Sequence, residues 1–285
     1  MGQVRTKARR TKETAPRTQT KATVFLGGGR ITGALIAGLR LAGYDDCIVV
    51  YDRNPEKLRE LRREFHVEVA RDLQSAVARA GVLIVAVRPP SVAELLDEIT
   101  RSGAIKQTIV AISLAAGIPI KKLRARLGRS VHWARAMPSP VCRIGRGLTA
   151  VTFDHQVPKD GRDRIRELFA RVGIVLEIPE SRFDAFNAAY SPSHGYHALA
   201  TLARAAQDAG LDRNTALTAA AHAFGDALLY WKQSGLSVAD LLQESATPGG
   251  TSAATMEAMK KSGYEKAVAA GLKAAIQRAR RNARF

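Results

Sequence analysis

The stretch Ala22–Gly43, ATVFLGGGRITGALIAGLRLAG, decides the fold. Its first five residues are apolar and rich enough in strand formers to make a buried strand. Three glycines follow, and Ile31 to Leu41 carries helical periodicity until Gly43 stops it. Strand, glycine turn and helix in this order form the opening of a dinucleotide-binding unit. Gly27 permits a tight turn, and Gly29 lets backbone approach a pyrophosphate lying on the helix N-terminus, with Arg30 and Ile31 in its first turn. The third position of the fingerprint departs from the usual pattern: Thr32 stands where glycine or alanine is common, and Gly33 follows it.

Downstream the pattern repeats. CIVVYDRN, residues 47–54, reads as a second buried strand, and Pro55 opens a charged helix at the first position, where its missing N–H costs nothing. Apolar strands are expected at Val82–Val87 and Thr108–Leu114, with a Leu- and Glu-rich helix between them. Buried strands alternating with helices predict an α/β fold, a Rossmann-type parallel sheet covered on both faces. From about Arg182 alanine dominates and β-branched runs disappear. Helical segments are expected at Ala198–Ala209, Arg213–Ser234 and Val238–Glu244. The resulting division is a basic tail, 1–21, a dinucleotide-binding domain, 22–180, and an all-α domain, 181–285. An all-helical unit this small needs a partner to cover its apolar faces, so a homodimer or higher homo-oligomer is expected.

Composition narrows the function classes. A chain of 285 residues with 46% apolar content supports a sizeable core. No run of roughly 20 apolar residues and no hydrophobic leader is present, so neither a membrane span nor export is expected, and the cytoplasm is the expected compartment. Much of the net charge of +18 sits in the tail, where Arg5, Lys7, Arg9, Arg10, Lys12, Arg17 and Lys21 face only Glu13, and more sits at Arg278, Arg280, Arg281 and Arg284. A segment this polar is expected to be disordered and solvated. Without interleaved aromatics or a binding module, a nucleic-acid partner is not expected. Cys47 and Cys142 lack metal or disulfide spacing and read as packed free thiols.

Asp52 closes the second strand near the position where a carboxylate accepts adenosine ribose hydroxyls. Arg53 beside it offers a charge for the 2′-phosphate of NADPH, and Asp52 also suits the turn before Pro55. The cofactor reading is therefore NADH or NADPH.

Further fragments complete a set: AVRPPSV at 86–92, ISLAAGIPIKKL at 112–123, RAMPSPVCRIGRGLTAV at 135–151 and TPGGTS at 247–252. With the glycine loop, their order and spacing resemble the pyrroline-5-carboxylate reductase family from about Ala22 to Arg280. The resemblance implies NAD(P)H-dependent reduction of a cyclic imine carboxylate, pyrroline-5-carboxylate, to proline. Val87, Arg88, Pro89 and Ala115 would join Gly27, Gly29, Arg30, Ile31, Asp52 and Arg53 at the cofactor. Thr247, Pro248, Gly249, Gly250, Thr251 and Ser252 match the family's S-P-G-G-T-T, which grips the substrate carboxylate on free helix amides. That role agrees with the physics of a helix entrance, although Thr247 also suits an ordinary N-cap.

The departures are informative. Arg88 replaces the lysine of the family's V-K-P. R-x-M-P-N-T-P becomes Arg135 to Val141, with Ser139 in place of asparagine. D-A-x-T-A-L-S-G-S-G-P-A-Y becomes Asp184 to Tyr196, so Tyr190, Ser191, Pro192, Ser193 and His194 fill the glycine-rich segment. The candidates for catalysis are Tyr190, His194 and Thr251, with Tyr190 equally suited to packing. His194 and His197 lack a third ligand, so no metal is expected. Alternatives are a reductase for another imine or carbonyl, or a paralogue that binds nucleotide without turnover.

Overall fold

The structure is a computed structural model and describes residues 21–284; apart from Lys21, the basic tail lies outside the described residues. Eight strands form one sheet: β1 (Ala22–Leu26), β2 (Ile48–Tyr51), β3 (Glu68–Val69), β4 (Ala80–Val85), β5 (Ile109–Ser113), β6 (Val131–Met137), β7 (Gly147–Phe153) and β8 (Gly173–Glu177), in the order β3-β2-β1-β4-β5-β6-β7-β8. The first six are mutually parallel, as the apolar runs imply. β7 runs antiparallel to β6, which corrects the expectation of a wholly parallel sheet. The reason lies in the connection: only a short 3-10 turn, Pro140–Ile144, joins β6 to β7, and a parallel return needs a longer crossover. The helix α6 (Lys159–Ala170) supplies such a crossover, so β8 is parallel to β7.

β4 leaves the sheet after Val85, although its apolar run continues to Val87. Crossing helices cover both faces: α1 (Arg30–Leu41), α2 (Pro55–Phe65), α3 (Leu73–Ala78), α4 (Val92–Ser102), α5 (Ile120–Leu127) and α6. One core gathers Leu83, Leu96, Ile99 and Trp133, and the other Phe25, Ile36, Leu39, Ile84 and Phe169. Burial on both sides explains why the strands show no polar alternation, and each such aliphatic side chain contributes about 1.5–3 kcal/mol. Cys142 is packed as expected, and burial pushes its thiol up to about 11. Cys47 is a half-buried free thiol that packs against the first core, as expected, and it also donates to Glu68 Oε1 at 3.1 Å, beside Arg79.

The helical half contains α7 (Phe183–Ala189), α8 (Pro192–Asp208), α9 (Arg213–Ser234), α10 (Val238–Ser245), α11 (Thr251–Lys261) and α12 (Tyr264–Asn282). α8 begins earlier than its alanine pattern suggested because Pro192 starts it. α8 packs on α9, while α12 packs on α7 and carries α11. The end of α12 returns to the sheet, where Asn282 Nδ2 donates to the Ala116 carbonyl at 3.1 Å. Beside it Gly117 has φ +79°, and a Cβ there would overlap the Ala279 carbonyl. Gly117→Ala should therefore cost about 2–4 kcal/mol, from the left-handed backbone and the displaced helix. Thermal melting checks this, and an unchanged Tm would contradict the seam.

Candidate active site

Strand order reverses between β1 and β4, and open α/β sheets bind ligands in the crevice beyond such a reversal. The glycine loop lies there. Gly27 has φ +111°, and a Cβ on it would come within 2.9 Å of Ala86 backbone atoms after β4. Its N–H donates to the Tyr51 carbonyl at 2.7 Å. Thr32, irregular by fingerprint, is fully buried, and its hydroxyl donates to the Gly27 carbonyl at 2.6 Å. The hydroxyl thereby braces the turn from below. Gly29 caps α1 without a side chain, and a Cβ on it would meet nothing within 4 Å. Uncapped first-turn amides therefore face open space.

That space is a cleft of about 1040 Å³, lined by Gly28, Gly29, Arg30 and Ile31 on one side, Lys57 and Leu61 of α2, and Leu114, Pro138, Pro140, Pro192 and Ser193 on the other. Free helix amides, a glycine where backbone approaches, and cationic Arg30 and Lys57 fit a pyrophosphate. Leu114, Pro138, Pro140, Pro192 and Ser193 fall in fragments singled out in the sequence, whereas Lys57 and Leu61 of α2 escaped the sequence reading, because contiguity of α2 with the 138–140 turn exists only in the folded chain.

Asp52 follows the end of β2 beside the loop and does not itself line the cleft. Its Oδ2 accepts from Gly28 N at 2.7 Å and faces Lys57 Nζ at 3.4 Å, while Oδ1 accepts from Asn54 N at 2.8 Å. Arg53 turns toward α4, with Nη1 2.9 Å from Glu94 Oε1 and Nη2 2.8 Å from Glu98 Oε2. Hydrogen bonds to Glu98 and then Glu94 raise its pKa above the ordinary guanidinium value. The sequence reading missed both glutamates; their i,i+4 spacing was visible, but their position opposite β2 follows from the strand order. Val87 is half-buried, Arg88 is exposed, Pro89 starts a 3-10 turn and Ala115 is buried at the end of β5. All four lie at the carboxyl ends of β4 and β5, though none lines the cleft.

The far wall is knit together by polar contacts. Tyr190 Oη accepts from Leu148 N at 2.9 Å and from Ser139 Oγ at 3.1 Å, and so joins the loop after β6 and the start of β7 to the start of the helical half. His194 Nε2 lies 2.8 Å from the Ala188 carbonyl. A carbonyl only accepts, so this nitrogen carries the hydrogen and the ring closes the end of α7. Arg135, 3% exposed, donates from Nη1 to Glu180 Oε1 at 3.0 Å and lies over the Phe183 ring at 4.8 Å. Glu180 Oε1 also receives Ile120 N at 2.7 Å. These bonds tie β6 and the start of α5 to the turn that precedes α7.

Thr247–Ser252 does form a helix entrance. Gly250 N donates to the Thr247 carbonyl at 2.9 Å, Gly249 has φ +77°, and the N-cap of α11 is Gly250, without a side-chain bond. The alternative of Thr247 as N-cap is thereby corrected. None of these residues lines the cleft of their own chain. Among the described residues no His, Cys, Asp and Glu group could hold a metal, and no helix is long and apolar enough to cross a membrane.

Residues 22–117 match the family model described as NADP oxidoreductase coenzyme F420-dependent, and residues 180–282 match pyrroline-5-carboxylate reductase dimerisation. A pyrroline-5-carboxylate reductase of Corynebacterium melassecola is 32% identical over 84% of this chain and 90% of its own. One from Mycobacterium tuberculosis (strain ATCC 25618 / H37Rv) is 30% identical over 89% and 94%. The solved pyrroline-5-carboxylate reductase of Coxiella burnetii superposes with a TM-score of 0.81 at 25% identity, covering 93% of this chain and all of that one. The pyrroline carboxylate reductase of Plasmodium falciparum, solved with NADP bound, superposes with a TM-score of 0.82 at 20% identity over 93% and 99%. The glycine loop, the braced cleft and the glycine-opened helix α11 thus occur in a chain that belongs to the pyrroline-5-carboxylate reductase family.

Proposed function

We propose that this chain reduces pyrroline-5-carboxylate to proline with a reduced nicotinamide dinucleotide. The observation that carries the reading is the coexistence of two glycine-opened helix entrances without side-chain caps, each suited to a different anion. One is the α1 entrance at the strand-order reversal, fitted to a pyrophosphate, and the other is the α11 entrance, whose first amides have no side-chain cap. The bound dinucleotide supplies the hydride.

The protein's part is to hold and orient. The substrate carboxylate sits on the amides following Gly250, where Gly249 and Gly250 leave room and the helix dipole favours an anion. Orientation of the imine carbon converts a bimolecular encounter into a unimolecular one. The imine nitrogen must be protonated to accept hydride well, and we assign the exposed Thr251 hydroxyl as the group that passes it a proton while taking one back from solvent water. Tyr190 and His194 act on the wall instead: neither lines the cleft, the Tyr190 oxygen accepts from Ser139 and Leu148, and the His194 Nε2 hydrogen is held by Ala188.

Assembly completes the site. Phe224, Leu228, Leu229, Tyr230, Trp231, Val238 and Leu242 are exposed, and an apolar groove of about 590 Å³ runs between α9 and α10. A patch of this kind marks an association surface. A second copy covers it, and the 247–252 loop of one subunit reaches the cleft of the other.

The bulkier 190–194 segment favours a second reading, turnover of a differently shaped cyclic imine on the same machinery. An assay of dinucleotide oxidation with pyrroline-5-carboxylate beside other cyclic imines separates the two, and turnover of none would refute both. Gly250→Val, whose Cβ would lie 2.7 Å from Thr247 Oγ1, should raise the imine KM at least about tenfold while dinucleotide affinity stays within about twofold. An unchanged KM would remove the anion site from α11. Trp231→Asp, at a side chain now 42% exposed, should yield a folded monomer with little activity. Sedimentation and turnover measured together check this, and a fully active monomer would sink the shared site.

A further inference from the structure

We propose that Glu94 and Glu98 set the cofactor preference: by holding Arg53 on α4 they make NADH, rather than NADPH, the reductant that this chain favours. The inference rests on the dinucleotide reading above and adds to it residues of α4 that take no part in the glycine loop.

The two dinucleotides differ only at the adenosine ribose 2′-position, a hydroxyl in one and a phosphate in the other. In this class of fold that position falls at the end of the second strand, where a carboxylate suits the hydroxyl and an arginine the phosphate. Here both residue types are present, as Asp52 and Arg53, and the sequence leaves their competition open. The structure resolves it through what each one touches.

Asp52 is held in place. Its side chain is 13% exposed, and each oxygen receives one backbone N–H, from Gly28 at 2.7 Å and Asn54 at 2.8 Å. A carboxylate has about four acceptor positions, so it retains capacity for a ribose hydroxyl while its orientation is fixed. Arg53 is the residue that would have to answer a 2′-phosphate, and its two terminal nitrogens are engaged by two different carboxylates, Glu94 Oε1 at 2.9 Å and Glu98 Oε2 at 2.8 Å. The i,i+4 spacing of Glu94 and Glu98 puts them on one face of α4, and the placement of β4 beside β1 brings that face alongside the end of β2. Around the ribose position Asp52, Glu94 and Glu98 therefore outnumber Arg53 and Lys57. A phosphate bearing nearly two negative charges meets a surplus of carboxylate, whereas a neutral hydroxyl meets an oriented acceptor.

The tie is not a permanent lock. Arg53 is 54% exposed and Glu94 61% exposed, and ion pairs this open contribute little to stability. NADPH is therefore disfavoured rather than excluded, with a penalty that salt weakens.

The test measures equilibrium dissociation constants of NADH and NADPH for the full-length protein at low ionic strength, by fluorescence titration, with kcat/KM for each dinucleotide alongside. The wild type should bind NADH roughly tenfold more tightly than NADPH. In the variant Glu94→Gln/Glu98→Gln the NADPH-to-NADH ratio of dissociation constants should move about tenfold toward NADPH, since Arg53 is released and two like charges are gone. Adding Arg53→Gln to that variant should take back most of the shift, a reversal that loss of carboxylate charge alone would not produce. A wild type that binds NADPH as tightly as NADH, a double variant with an unchanged ratio, or a shift that survives Arg53→Gln would each overturn the proposal. These results would leave the dinucleotide reading standing; binding of neither dinucleotide would bring down both.

Discussion

The rest of the structure depends on one close approach of backbone to backbone, that of Gly27 to Ala86 across the reversal in strand order. β1 and β4 are neighbours, and the loops that leave them must cross in a space too small for a β-carbon. Only the positive φ of Gly27 allows it. Around that crossing the polar groups are placed to hold it shut: Thr32 donates to the Gly27 carbonyl, Gly27 donates to Tyr51, and Asp52 accepts from Gly28. Each of these bonds is worth roughly 0.5–1.5 kcal/mol net, more for the carboxylate. Their joint effect is to present the free end of α1 to the cleft with no side chain in the way, and a pre-formed site of this kind spends little of its binding energy on ordering itself.

The helical half obeys the opposite constraint. Its long helix α9 buries only Ala216 and Ala220, while aromatic and leucine side chains along it stay exposed. Intrinsic helix propensity is high in an alanine-rich run, so the helices form without a large core of their own. Apolar surface left over in this way is the driving force for association. The matched dimerisation region and the exposed apolar faces of α9 and α10 therefore point the same way, to a homo-oligomer.

This division explains what could be read from sequence. Strand, glycine turn and helix at 22–43 are legible because backbone geometry demands particular residues there, and the α9 bounds follow directly from Asp212 and Gly235 at its two ends. β6, β7 and β8 were not anticipated. β6 carries His132, Trp133 and Arg135 among its apolar residues, and Arg135 is buried only because Glu180 and Phe183, distant in sequence, receive it. The partners of Arg53 were hidden for a similar reason: local pattern reveals a charge, and only the fold reveals what neutralises it.

The two departures from the family's motifs acquire a physical connection in the structure. Taken singly, each looks like damage: a shorter side chain at Ser139, where the motif has asparagine, and a much larger one at Tyr190, where it has serine. They touch. The Ser139 hydroxyl, 3% exposed in total, donates to the Tyr190 oxygen, which also receives the Leu148 amide. A tyrosine reaches further across the gap between the β6–β7 connection and α7 than a serine can, and a serine opposite leaves room for it. Left unpaired, a buried hydroxyl would cost about 1–3 kcal/mol, so a change at either position alone would be penalised and the two together need not be. The cleft wall between Pro138 and Pro140 on one side and Pro192 and Ser193 on the other is therefore held by a polar bond between two positions at which the motif is lost. That bond stiffens the wall opposite the glycine loop, so the positions at which the motif is lost still serve to hold the shape of the cleft.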